Sequence, residues 1–221
     1  EVIFDSNNNN NSNIDIMIRN NLQNLKKIKS PNILNILVSF LHFRGKKSMN
    51  VLVPALRTCG NIVSGSDKQT QSIIDYGLIK ELYHLINHDN HSVRKEAIWT
   101  ISNITAGNHK QIDACLNYYN NKSIFYEINK ILLDHQSHND LIKECIWAIS
   151  NATTGGNCKQ LHKIIQLTID GLCQVMHYFP NDNKLKLVLL EGLQNLLIYS
   201  EINPNLKYKE FDEYSNDFPP D

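Results

Sequence analysis

Trp99 stands four residues before Asn103, and Trp147 four residues before Asn151. Residues four apart on an α-helix share one face, a single turn from each other. Each pair joins an indole, which packs aliphatic stems and attracts cations through its ring, to an amide with one acceptor and two donors. Such an amide accepts from a peptide N–H and donates to a C=O of the same residue, so it holds an extended chain without reading its side chains. Parallel indoles supply the selectivity: slots between them admit the stem of Lys or Arg, with a cation–π contribution of ~0.5–2 kcal/mol. Glu96 and Glu144, three residues before each Trp, are placed to receive the charged heads. The chemistry these residues suit is recognition of an extended, basic peptide.

A competing reading makes Trp99 and Trp147 buried core, with Asn103 and Asn151 capping helices or tying repeats together. Asn has poor helix propensity and competes with the backbone for hydrogen bonds. Its recurrence beside the same aromatic in mid-helix therefore favours function. Asn61 and Asn195 extend the ladder, but Arg57 and Glu191 stand where the other rungs have Trp. The aromatic array is two rungs long, flanked by a cationic and an anionic rung.

The elements that position these residues repeat. VRKEAIWTISNITAG (93–107) and IKECIWAISNATTGG (142–156) are versions of one segment, and the four Asn fall at steps of 42, 48 and 44 residues. Apolar residues at three- and four-residue spacing predict helices at 33–43 and 49–63 in an incomplete first unit. Further units follow at 69–76, 78–87 and 92–106, at 110–116, 124–135 and 140–153, and at 159–167, 170–179 and 184–202. Gly77 and Gly107 fit left-handed stops after helices, and Gly155 and Gly156 close the next unit. A period in the forties built from three helices is the armadillo signature. The expected fold is all-α, a right-handed armadillo-repeat solenoid whose stacked units share one core. Residues 1–30 read as an Asn-rich flexible segment and the end of a preceding repeat, 31–203 as about four repeats with the first and last incomplete, and 204–221 as an acidic tail or truncated loop.

Composition excludes other classes. The 221 residues carry 22 Lys and Arg against 22 Asp and Glu, a formal net charge of zero, so no basic field favours nucleic acid. No stretch approaches the ~20 apolar residues that span a bilayer, and the opening residues lack the basic-then-apolar pattern of a signal peptide. Five cysteines without a CxxC argue for reduced core thiols rather than a disulfide framework or zinc knuckle. His84, His88 and His91 imitate a metal site, but no Cys or carboxylate completes the set. Cys145, Ser102, Ser150 and His162 lack a poised base or nucleophile elbow. Neither catalysis, nor a metal, nor a cofactor is expected.

The segments WTISNITAG and WAISNATTGG, preceded by PALRTCGNIVSG with Thr70 and Gln71 beyond it, resemble the C-terminal half of the importin-alpha (karyopherin-alpha) family over about residues 31–200. The resemblance implies a nuclear-import adaptor, shuttling between cytoplasm and nucleus, that binds Lys/Arg-rich nuclear localisation signals on its concave face and hands cargo to importin-beta. It implies that Trp99, Asn103, Trp147 and Asn151 form the minor signal-binding site. Val63, Gly65 and Thr70 match the turn that, with Asn103, receives a principal lysine. Ser102, Glu96 and Glu144 match residues beside the arginine slot, and Arg57 matches the family's own Trp replacement. The importin-beta-binding segment would lie upstream of Glu1, and a chain starting there rather than at Met is read as part of a longer one. An export receptor and nucleoporins are further partners the resemblance admits. The lengthened step around 117–121 is read as a loop insertion. The alternative function is an armadillo scaffold for junctional or cytoskeletal partners, which would need Lys and Arg along the third helices where these segments put Glu.

Overall fold

A computed structural model describes residues 32–43, 48–117, 122–134, 136–179 and 182–202. The Asn-rich N-terminal segment, the tail 204–221 and residues 118–121 of the expected insertion lie outside the described residues. Among the described residues the structure is all helical. It divides into two compact units, residues 1–100 and 101–221.

The first unit opens with α1 (Ile33–Ser39), a 3₁₀ turn (Phe40–His42) and α2 (Met49–Val63). It continues through α3 (Asp67–Asp75) and α4 (Leu78–Leu85) into α5 (His91–Thr105), which spans the division. Its centre is filled by Leu41, Leu52, Leu56, Ile73, Leu82 and Ile98, all fully buried. The second unit contains α6 (His109–Leu116), α7 (Ile124–Leu133), α8 (Asn139–Gly155), α9 (Cys158–Tyr178) and α10 (Asn183–Ile202). There α9 packs chiefly on α7 and α10 on α8. Equivalent helices of successive repeats thus lie side by side, burying faces that one repeat alone would leave in water.

Each repeat begins with the same clamp. The segments GSDKQ (65–69), GNHKQ (107–111) and GNCKQ (156–160) place Ser66, Asn108 and Asn157 at helix N-caps. Three residues on, a Gln reaches back: the backbone N–H groups of Ser66, Asn108 and Asn157 donate to Oε1 of Gln69, Gln111 and Gln160 at 2.8, 3.0 and 3.0 Å. Asn108 and Asn157 return the bond from Oδ1 to the N–H of Gln111 and Gln160, at 3.4 and 3.1 Å. These are reciprocal capping boxes, which satisfy donors that a helix start otherwise leaves open. In the second unit Gln160 also donates from Nε2 to the His109 carbonyl at 2.8 Å, fastening one repeat's first helix to the next.

Two expectations change. Gly77 is left-handed, with φ of 88°, but among the described residues it is the sole glycine with positive φ. Gly107 is small for another reason: a Cβ there would collide with Oε1 of Gln111, the residue that reaches back. The other difference is in the last repeat, where helices expected at 159–167 and 170–179 form one continuous α9. The break signal marks a real irregularity, because the N–H of Gly171 donates outside its helix to Oδ1 of Asn129 at 3.0 Å. A Cβ at Gly171 would meet that same Oδ1, so glycine admits the close approach of α7.

Gly107→Ala should displace the buried Gln111 side chain and lower stability by about 1–2 kcal/mol through the lost cap. Chemical denaturation checks this, with Gly77→Ala, whose added Cβ meets open space but strains the backbone, as a mechanistic contrast.

Candidate functional site

The third helix of each repeat carries the candidate residues, and burial sorts its faces. Between Leu141 and Thr153 of α8, only Lys143, Glu144, Trp147 and Asn151 escape burial. They fall at helical spacing, forming one accessible stripe on an otherwise buried rod. Trp147 lies on that stripe with 48% of its surface exposed. An indole in mid-helix, surrounded by core positions and left half in water, is not serving as core. The stripe on α5 has the same register: Glu96, Trp99 and Asn103 are half-buried while Ala97, Ile98, Ile101 and Ile104 are fully covered. On α2, Arg57 and Asn61 are exposed at the matching positions.

Within the first unit the Trp99 ring rests on α2. A Cβ at Gly60 would overlap ring atoms Cζ3 and Cε3, so the indole's position depends on a missing side chain one repeat earlier. The same neighbourhood holds an ion pair, in which Arg57 donates from Nε to Oε1 of Glu96 at 2.6 Å. Val63 and Thr70 also meet, since the Thr70 hydroxyl donates to the Val63 carbonyl at 3.0 Å in a buried turn. Gly65 lies in this turn, where a Cβ would meet the Gln69 amide.

In the second unit the Asn ladder has a tying role. Asn151 donates from Nδ2 to the carbonyl of Ser102 at 3.0 Å. Asn195 donates from Nδ2 to the hydroxyls of Thr153 and Thr154, each at 3.3 Å. The amide nitrogen of each therefore joins a helix to its predecessor. Asn151 keeps Oδ1 and its second N–H without a hydrogen-bond partner among the described residues, on a helix face open to solvent. Ser102 is buried and contributes through its backbone. Lys143, on the accessible stripe, pairs with Asp182 at 2.7 Å. That bond, with a further one from the Leu185 N–H, holds the Asp182 carboxyl below its ordinary range.

Sequence spacing reached Trp99, Asn103, Trp147 and Asn151, and the structure puts each pair on one accessible stripe. It did not reach Gly60 or the Arg57–Glu96 pair, whose partners lie 39 residues apart. Nor did it reach the capping clamps, although their signal is visible in the three repeats of Gly-(Ser/Asn)-x-Lys-Gln. Among the described residues no group of three or more His, Cys, Asp and Glu is arranged to hold a metal ion. No described helix is long and apolar enough to cross a membrane. Cys59, Cys115 and Cys145 are buried, and burial pushes the Cys59 and Cys115 thiols up to about 12.

Residues 66–106 match the armadillo/beta-catenin-like repeat family. The chain is similar to importin subunit alpha-1b of Oryza sativa subsp. japonica, 50% identical over 50 residues that make up 22% of this chain and 9% of that protein. It is also similar to importin subunit alpha-7 of Arabidopsis thaliana, 39% identical over 72 residues, 32% of this chain and 14% of the relative. The matched segments thus span well under a fifth of these relatives' length. Among solved structures it resembles a designed armadillo repeat protein in complex with the peptide (KR)4, with a TM-score of 0.63 and 26% identity, covering 74% of this chain and 64% of that one. The fold is that of armadillo repeats, with partial similarity to importin-alpha sequences.

Gly60→Ala should push the Trp99 indole off α2, shifting Trp fluorescence and costing about 1–3 kcal/mol of stability through overpacking. Alkylation of the native protein at pH 8 should modify Cys158 and Cys173, which are exposed, and spare the three buried thiols until the chain is denatured. Mass spectrometry distinguishes the two adducts from the five.

Proposed function

We propose that this chain is part of a nuclear-import adaptor and binds Lys/Arg-rich nuclear localisation signals in extended conformation along the third helices of its armadillo repeats. The observation that carries the reading is Trp147, 48% exposed in mid-helix, with Asn151 one turn after it and Glu144 one turn before. The indole offers a face to an aliphatic stem, the free Oδ1 and N–H of Asn151 offer a pair of bonds to a peptide unit, and Glu144 supplies negative charge. α5 carries the same residue types at the same spacing, Trp99, Asn103 and Glu96.

Two similarities support the ligand class. The importin-alpha relatives match part of the chain at 39–50% identity. The designed armadillo protein of like fold is complexed with (KR)4, a peptide of alternating Lys and Arg. The scaffold alternative requires free cations along the third helices to meet acidic partners. Of the cations near these stripes, Arg57 is paired with Glu96 and Lys143 with Asp182, and Arg94 donates from Nε to the Ile86 carbonyl at 3.3 Å. In this reading cargo is handed on to importin-beta, and the protein works in cytoplasm and nucleus.

A (Lys-Arg)4 peptide should change Trp emission on titration, with affinity falling as salt rises. Trp147→Ala should weaken it by about 1–3 kcal/mol, as expected for an aromatic anchor. Isothermal titration of the variant measures that loss. If the Trp99→Ala/Trp147→Ala double variant bound the peptide as tightly as the wild type, the assignment of these stripes would fail.

A further inference from the structure

The acidic group of the α5 rung is already engaged. Glu96, three residues before Trp99 on the accessible stripe, has a side chain 19% exposed, and Arg57 from α2 places Nε 2.6 Å from its Oε1. Arg57 itself is 60% exposed. It is a surface side chain that leans over a partly buried carboxylate. The contact reproduces within one chain what a ligand arginine would make: a guanidinium against Glu96, beside the Trp99 rung.

We propose that Arg57 is a built-in competitor that occupies the Glu96 subsite and selects against arginine, relative to lysine, in the ligand at this rung. The inference rests on the peptide-binding reading above. Its physical basis is the geometry of the two cations. A ligand guanidinium gains most from a bidentate contact with both carboxylate oxygens, and Arg57 already holds Oε1. A lysine ammonium is a compact point charge that needs a single oxygen and no fixed plane, so Oε2 can serve it while Arg57 stays in place. An exposed ion pair is weak, so Arg57 yields to a strong ligand. The competitor tunes the subsite without closing it.

The test is a double-mutant cycle on the full 221-residue chain, with octa-arginine and octa-lysine as probes and thermal melts to verify folding. Arg57→Gln should tighten octa-arginine on the order of fivefold, and octa-lysine by clearly less. Glu96→Gln should weaken octa-arginine on the order of twofold in the wild type and fivefold or more when Arg57→Gln is already present. Equal tightening of both probes by Arg57→Gln would mean that only long-range charge had changed, and would overturn the proposal. So would a Glu96→Gln effect of the same size in both backgrounds. A wild-type chain that bound neither probe would instead remove the peptide-binding reading, whereas octa-arginine binding gained only on Arg57→Gln would still support the competitor.

Discussion

The capping clamp at the start of each repeat is the interaction on which the remaining geometry rests. A glycine without a side chain, a Ser or Asn cap and a Gln that reaches back turn the chain sharply after every third helix and start the next repeat. The clamp recurs with the same residue types at the same offsets, so the first helices of three successive repeats begin in equivalent local settings. Within each third helix the apolar face meets the core in one way, which sets the line of its accessible stripe. The accessible stripes of α2, α5 and α8 accordingly carry matching positions.

On these stripes structure and recognition share the same atoms. The reading that made Asn a tie between repeats and the reading that made it a peptide ligand both describe Asn151, but different parts of its amide. One N–H is spent on the Ser102 carbonyl, which orients the side chain, and the remaining donor and acceptor face outward. Orientation by one bond lowers the entropy lost when the others form. Asn195 has the same tie through Thr153 and Thr154 but no aromatic neighbour at the preceding turn, where Glu191 stands. The tie recurs beyond the Trp rungs, as a packing device should.

The helices and the register of the ladder were legible in the sequence because both follow from 3.6-residue periodicity, which is a local property. The reading failed where the cause was not local. Glycine after a helix most often marks a left-handed stop, but the constraint at Gly107 is Gln111, four residues on. The two helices expected around residue 168 are one continuous α9, and the irregularity at Gly171, whose N–H goes to Asn129 on another helix, does not break it. Arg57 and Glu96 were each recognised, but nothing in spacing shows that they touch. Gly60 illustrates the same limit, since the residue that depends on it lies 39 positions downstream.

That last contact changes where a repeat should be said to begin and end. The sequence period places Gly60 at the close of one repeat and Trp99 at the close of the next, yet the indole sits where it does because the earlier helix lacks a side chain. Ser102 stands to Asn151 in a similar relation, offering a carbonyl to the following repeat. The unit of packing is therefore staggered against the unit of sequence: half of each rung belongs to the helix before it. An exchange of repeats cut at the sequence boundaries would carry Trp99 away from its seat and Asn151 away from its anchor.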